Sequence, residues 1–387
     1  MAGRNIVSVS WGDHLKFGID DGQLATPDAV ARRMQAWKSE LNAGQVLWRT
    51  IQQSPRRAQR ARDAPPPTKP MPDVTWDELE RVPEIAHGEG MKAYLYVTIF
   101  DEGWPLLRAS MRDRSYHNAF HAQHRASQTE FAYNHPEFAA VDRAGRRRHR
   151  GVMNLAYPAV REHFEQLFLS LLERGDFDGL FICLRSQSRP ADHADQHGFN
   201  DPVRSDFHSR YGTDIRTEDF DKAQWRDMQG GYLTTFLCDL KRSLRTRRIK
   251  LAVGAARGDI IGPPLGNATL DWRTWVQEGI VDQLVIDQNS SRCPSMWLNL
   301  WPMHRGTGYL QNYLTGEGLP PLTDHLQQIY GPELSGGETK LFLARQWHQR
   351  HAAEERALLA IDQMSGLVFG SFRHDNAHLL AKGNWWD

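Results

Sequence analysis

The sequence predicts a (β/α)₈ barrel, and three observations predict it. Eight short apolar runs recur along the chain, helical segments fit between them, and most runs end in charged or amide residues. Continuous apolar runs, unlike alternating ones, suit strands buried on both faces, as in a parallel sheet. A barrel of eight such strands does its chemistry at their C-terminal ends, so the run ends map the site.

In order, the runs are Asn5–Asp13, Gln45–Arg49, Met91–Asp101, Asp178–Arg185, Lys250–Arg257, Val281–Asp287, Lys340–Arg345 and Gly366–Arg373. The helices carry start signals. Thr26 followed by Pro27 opens one, with Thr as cap and Pro at the first position. Another runs from Tyr157 to Glu173 and leads through Gly175 into the fourth strand. Trp225–Leu244, Trp272–Glu278 and Ala352–Gln363 precede the fifth, sixth and eighth strands. Three insertions follow strands: the Pro- and Arg-rich Ser54–Asp73, the long Asp101–Asn154, and Gln288–Gly318 with its tryptophans and tyrosines. Long structured βα loops are where barrels place function. About a dozen residues follow Arg373, so the eighth helix is expected to be short or absent.

The length of 387 residues suits one elaborated barrel over residues 1–387, since a plain one takes about 250. The 47 basic and 47 acidic residues cancel, which gives no global pull toward nucleic acid or anionic membrane. No segment is long and apolar enough to cross a bilayer. Met1 leads almost directly into the first strand, so a cytoplasmic protein is expected, although a removed signal leaves the same sequence. Cys183, in a strand, and Cys238, in a helix, read as buried small hydrophobes rather than a disulfide framework. Walker loop, dinucleotide fingerprint and nucleophile elbow are absent. No metal or organic cofactor is implied.

Five runs end in arginine: Arg49, Arg185, Arg257, Arg345 and Arg373. Guanidinium forks bind carboxylates bidentately and stay charged, so an anionic substrate is expected; about half of these arginines are expected to pair internally. Asp287, Asn289 and Gln346 add the mixed donors and acceptors that a polyhydroxylated ligand needs. Asp13 ends the first run as a candidate acid or base, against an ordinary role as cap or arginine partner. His135 lies in the third insertion, where imidazole titrates near neutrality. His117, His121 and His124 share a helix face, read as solvated rather than metal-binding. The arginine-rich Arg143–Arg150 reads as a basic loop that extends the positive field around the mouth. Trp297 and Trp301 either wall the site or pack their loop onto the barrel or a second subunit, the latter making a homodimer. Arginine at the ends of strands four and seven, where many retaining barrels keep glutamates, argues against a paired-glutamate double displacement.

Trp11-Gly12-Asp13, Asn134-His-Pro-Glu-Phe138 with Asp142-Arg-Ala-Gly145, Asn154-Leu-Ala-Tyr-Pro158, and Asp178-Gly-Leu180 leading to Arg185 resemble the glycosyl-hydrolase-like barrels. Within that group, an early aspartate and a third-loop histidine resemble the inverting exosialidases of glycoside hydrolase family 156. The resemblance implies Asp13 and His135 as catalytic pair, arginines that receive the sugar's carboxylate, and a sialoglycan or related nonulosonate substrate. A lyase or glycuronidase acting on uronic acids, and a non-catalytic barrel that binds acidic glycans, are the alternatives.

Overall fold

The computed structural model describes residues 3–10, 13–14, 24–50, 75–105, 126–184, 195–255, 257–259, 261, 268–286, 322–345 and 352–371. Each of the eight apolar runs contains or overlaps a strand: β1 (Asn5–Val9), β2 (Ala43–Trp48), β3 (Lys92–Thr98), β8 (Gly179–Cys183), β9 (Lys250–Gly254), β10 (Gln283–Ile286), β11 (Lys340–Arg345) and β12 (Met364–Gly370). They pair in parallel and close in the order β1-β12-β11-β10-β9-β8-β3-β2. The third insertion supplies the remaining strands, as two antiparallel pairs: β4 (Gly103–Pro105) with β5 (Ala126–Gln128), and β6 (Ala139–Val141) with β7 (Arg148–Met153).

Strand alternation explains why the runs are apolar throughout. Tyr94 and Tyr96, Phe181 and Cys183, and Phe342 and Ala344 join Ile6, Leu47, Ala252, Val285 and Val368 in one buried cluster, which fills the lumen. The intervening residues, such as Val46, Trp48, Leu95, Leu180, Leu251 and Leu343, belong to the larger core beneath the helices. Both faces are therefore dry. Low in the lumen, Gln283 of β10 bonds Gln45 at 3.0 Å and the Tyr94 hydroxyl at 3.2 Å, so the polar groups sealed there satisfy one another.

Helices form where the caps direct. Helix α1 (Pro27–Leu41) starts at Thr26, whose side chain accepts from Ala29 N. Helix α2 (Glu78–Gly88) starts at Asp77, and α3 (Glu130–Asn134) at Thr129. Helix α4 (Pro158–Leu172) begins after Tyr157 as expected. Two further helices lie between β8 and β9: α5 (Asp201–Tyr211) and α6 (Lys222–Thr246). The sequence gives little warning of α5, because it buries only Val203 and Phe207. Those two meet Val141, Phe199, Ile215 and Trp225 in a small second core, which joins the insertion after β3 to the one after β8. Cys183 is buried and Cys238 half-buried, both as free thiols. Cys293, Ser54–Asp73, His117, His121, His124, all of Gln288–Gly318 and everything beyond Ser371 lie outside the described residues. Among the described residues, no helix is long and apolar enough to cross a membrane.

The strands' N-terminal ends share a device. Asp178 accepts from Ala93 N at 2.9 Å, Asp282 from Leu251 N at 2.7 Å, and Asn5 from Leu367 N at 3.0 Å. Each side chain thus closes a neighbouring strand's first open amide. Gly179 follows Asp178 because a Cβ there would lie 2.3 Å from the Tyr94 ring. Asp178-Gly179-Leu180 is therefore a motif of the barrel floor, serving stability rather than chemistry.

Candidate functional site

Alternation also defines the mouth. Continuing the lumen-facing set upward leads from Leu47 to Arg49 on β2 and from Tyr96 to Thr98 on β3. Arg49 is buried, and its guanidinium donates to Thr98 Oγ1 at 2.9 Å and to Asp101 Oδ2 at 3.1 Å. It also lies 5.6 Å over the Tyr96 ring. On the other side of β2, His14 donates from Nε2 to Arg49 O at 2.9 Å, packs edge-on to Trp48, and brings Nδ1 to 3.8 Å from Glu78 Oε1. Glu78 is wholly buried at the first turn of α2 and accepts from the Thr50 hydroxyl. The ends of β1, β2 and β3 thus share one polar cluster that joins guanidinium, imidazole and carboxylates.

Asp13 sits at the edge of this cluster, half-buried in the turn after β1. Its Oδ2 accepts from Ser10 N at 2.6 Å and Ser10 Oγ at 2.7 Å, while Asp13 N and His14 N donate to Ser10 O. Asp13 therefore closes the turn back onto Ser10, as the carboxylate arm of a capping box does. Oδ1 accepts no hydrogen bond among the described residues. One oxygen is anchored and the other is open, which suits a group that must hold its orientation while it exchanges a proton.

Glu102, next to Asp101, is a carboxylate whose ionisation the fold alters. It is buried and accepts from the Thr129 hydroxyl at 2.5 Å. Its backbone N–H donates to Gly151 O, and Thr129 N donates to its carbonyl. Burial pushes its pKa up to about 7; the Thr129 hydrogen bond opposes this, the Asp101 charge adds to it, and Arg49 offsets part of it. Glu102 thus pins both ribbons of the insertion to the end of β3. Because its folded pKa exceeds the usual 4.5, its contribution to stability is complete below about pH 4.5 and is lost as pH rises through 7. Glu102→Gln keeps the acceptor for Thr129 and removes the charge. Relative to the parent, we expect it to be more stable at pH 8 by on the order of 3 kcal/mol, the difference closing toward pH 4.5. Urea unfolding of both proteins across that range checks this, and parallel pH dependences would refute it.

The third insertion positions His135. It ends α3, and its ring stacks near Phe138 and Phe131, which in turn lies flat on His163 of α4 at 3.6 Å. Its Nδ1 donates to Glu137 Oε1 at 3.0 Å, and its side chain is 44% exposed. The backbone amide of Glu137 first, and then His135, hold the Glu137 carboxyl below the usual range. No described contact joins His135 to Asp13: one lies on an aromatic shelf over α4, the other at the β1 rim.

The remaining expected site residues divide by what is described. Arg257 is half-buried just after β9, and the backbone of Arg345 ends β11. Arg185, Asp287, Asn289, Gln346 and Arg373 lie outside the described residues. Thr98, Asp101, Glu102, His14 and Glu78 were not anticipated as site residues. The available signal was the Asp-Glu doublet that closes the third run, together with strand parity above Tyr96. Among the described residues, no cluster of histidine, cysteine and carboxylates has the makings of a metal site.

Comparison with solved structures places this architecture. The glycoside hydrolase domain of PgaB (BpsB) from Bordetella bronchiseptica matches at 13% identity and a TM-score of 0.55, with 99% of this chain and 98% of that one covered. Alpha-L-fucosidase isoenzyme 2 from Paenibacillus thiaminolyticus matches at 11% identity and a TM-score of 0.50, with all of this chain and half of that one covered. The chain shares with these two proteins the (β/α)₈ barrel fold. No family model matches the sequence, and no curated protein matches it.

Proposed function

We propose that this barrel is a glycoside hydrolase that releases a terminal acidic sugar, a sialic acid or related nonulosonic acid, with inversion, as in glycoside hydrolase family 156. The observation that carries the reading is the Asp13 carboxylate, with one oxygen fixed by Ser10 and the other open beside a buried guanidinium–carboxylate cluster at the mouth. In this scheme Asp13 Oδ1 takes a proton from water as it attacks the anomeric carbon. The glycosidic C–O bond breaks, and His135 protonates the leaving oxygen from Nε2, its Nδ1 being committed to Glu137. Two or more of Arg185, Arg257, Arg345 and Arg373, which end barrel strands or follow them, hold the sugar's carboxylate in this reading.

Aryl glycosides of sialic acid, other nonulosonic acids, uronic acids and neutral sugars test the reading. The expected product is free acidic sugar whose first-formed anomer, followed by proton NMR, is opposite to the substrate's. Hydrolysis of neutral glycosides alone would reject the substrate class. An unsaturated product absorbing in the ultraviolet would reassign the enzyme as a lyase, and binding without turnover would leave a glycan-binding barrel.

A further inference from the structure

The β6–β7 hairpin carries a feature that the proposed reaction does not use. Its turn, Asp142 to Arg148, holds four arginines and one aspartate. The turn is tightly built: Gly145 N donates to Asp142 O, and Asp142 Oδ1 accepts from both Arg146 N at 2.8 Å and Arg147 N at 3.0 Å. Two of the arginines are anchors. Arg143 donates to Ile215 O and Glu218 O of the neighbouring insertion, and Arg148 to Pro136 O and Glu137 O. The other two, Arg146 and Arg147, are exposed, and their guanidinium groups make no ion pair or hydrogen bond among the described residues. A rigid frame thus holds two adjacent cations toward solvent, where a purely solvated basic run needs no such frame.

The hairpin's base fixes where those cations stand. Gly151 of β7 accepts from Glu102 N beside the mouth, and four residues of extended strand from there to Arg147 span about 13 Å. That separation exceeds a single sugar ring and suits a chain of several.

We propose that Arg146 and Arg147 form a docking strip for an anionic polysaccharide whose terminal sugar occupies the barrel mouth. The choice of polysaccharide rests on the function proposed above. A nucleic acid is the competing polyanion, but the chain's 47 basic and 47 acidic residues cancel, leaving none of the broad basic footprint that nucleic-acid binders show.

The test reads binding rather than turnover, using the full chain immobilised against poly-α2,8-sialic acid and polygalacturonate. Polyglutamate, duplex DNA and neutral dextran serve as comparators. The parent protein is expected to prefer the acidic polysaccharides. Arg146→Ala/Arg147→Ala should weaken that binding about tenfold at low ionic strength, the sum of two exposed charge contacts. The difference should vanish near 1 M salt, where screening acts over about 3 Å. Arg146→Glu/Arg147→Glu should abolish binding, with unchanged circular dichroism melting for both variants. Unaltered binding by the double-alanine variant, or equal binding of polyglutamate or DNA, would overturn the proposal. If no acidic glycoside is hydrolysed yet the variants still lose polysaccharide binding, the hydrolase reading fails and the docking strip stands.

Discussion

Asp13→Asn is expected to lower kcat on an acidic glycoside by about three orders of magnitude while leaving the fold nearly unchanged. General acid–base groups contribute roughly 10²–10⁴ in rate, and asparagine cannot take a proton from water. The amide oxygen can still accept from Ser10 N and Oγ, so the closure of the turn survives. Asp13→Ala removes that acceptor as well and should cost about 1 kcal/mol of stability in addition. Rate and stability therefore separate the two roles the geometry allows. If Asp13 only caps the turn, Asp13→Asn turns over normally and Asp13→Ala shows nothing beyond a slightly lower Tm. His135→Ala provides the parallel test of the acid. A drop in kcat that is relieved with an aryl leaving group needing no protonation would mark a proton donor. An even loss across leaving groups would mark a residue of the aromatic shelf.

The second large effect belongs to Arg49 and Asp101. Their side chains are 5% and 0% exposed and meet at 3.1 Å. Removing one member of such a pair leaves a buried charge behind, which typically costs 3–5 kcal/mol, whereas removing both together is often nearly neutral. Arg49→Met and Asp101→Leu should each destabilise by about 3–5 kcal/mol, and the double variant should recover most of that loss in chemical denaturation. The Asp101→Leu result carries further information, because the Asp101 charge helps to raise Glu102; its loss should bring the Glu102 titration down. Additive losses in the double variant would show that the pair does not act as a unit. If Arg49 also receives the sugar's carboxylate, Arg49→Lys should raise KM for acidic substrates and not for neutral ones, since ammonium keeps the charge and loses the fork.

Some of this was written openly in the chain. Each of the eight runs became a barrel strand because a strand packed on lumen and helices alike must be apolar at every position, and β9 and β10 show this as plainly as β3. The Thr26-Pro27 and Tyr157-Pro158 starts are local features: Thr26 caps Ala29 N, and at both starts a proline at the first position has a preset φ and no amide to leave open. By contrast, α5 escaped notice because two buried residues make too weak a stripe, and a second core formed by distant segments holds it.

The site was legible only in outline. Sequence by itself determined the barrel and Asp13 as a rim carboxylate, since strand period and run ends follow from nearest neighbours along the chain. Tertiary structure alone decided what each rim group is held by: that Asp13 is anchored by Ser10, that Arg49 meets Asp101, and that His135 rests on an aromatic shelf over α4. It also decided that Asp178-Gly179 belongs to the barrel floor and that Glu102 titrates near neutrality. The physical reason is the same in each case. Partnership, burial and pKa depend on groups many residues away in sequence, which only the closed barrel and its folded insertions bring within reach.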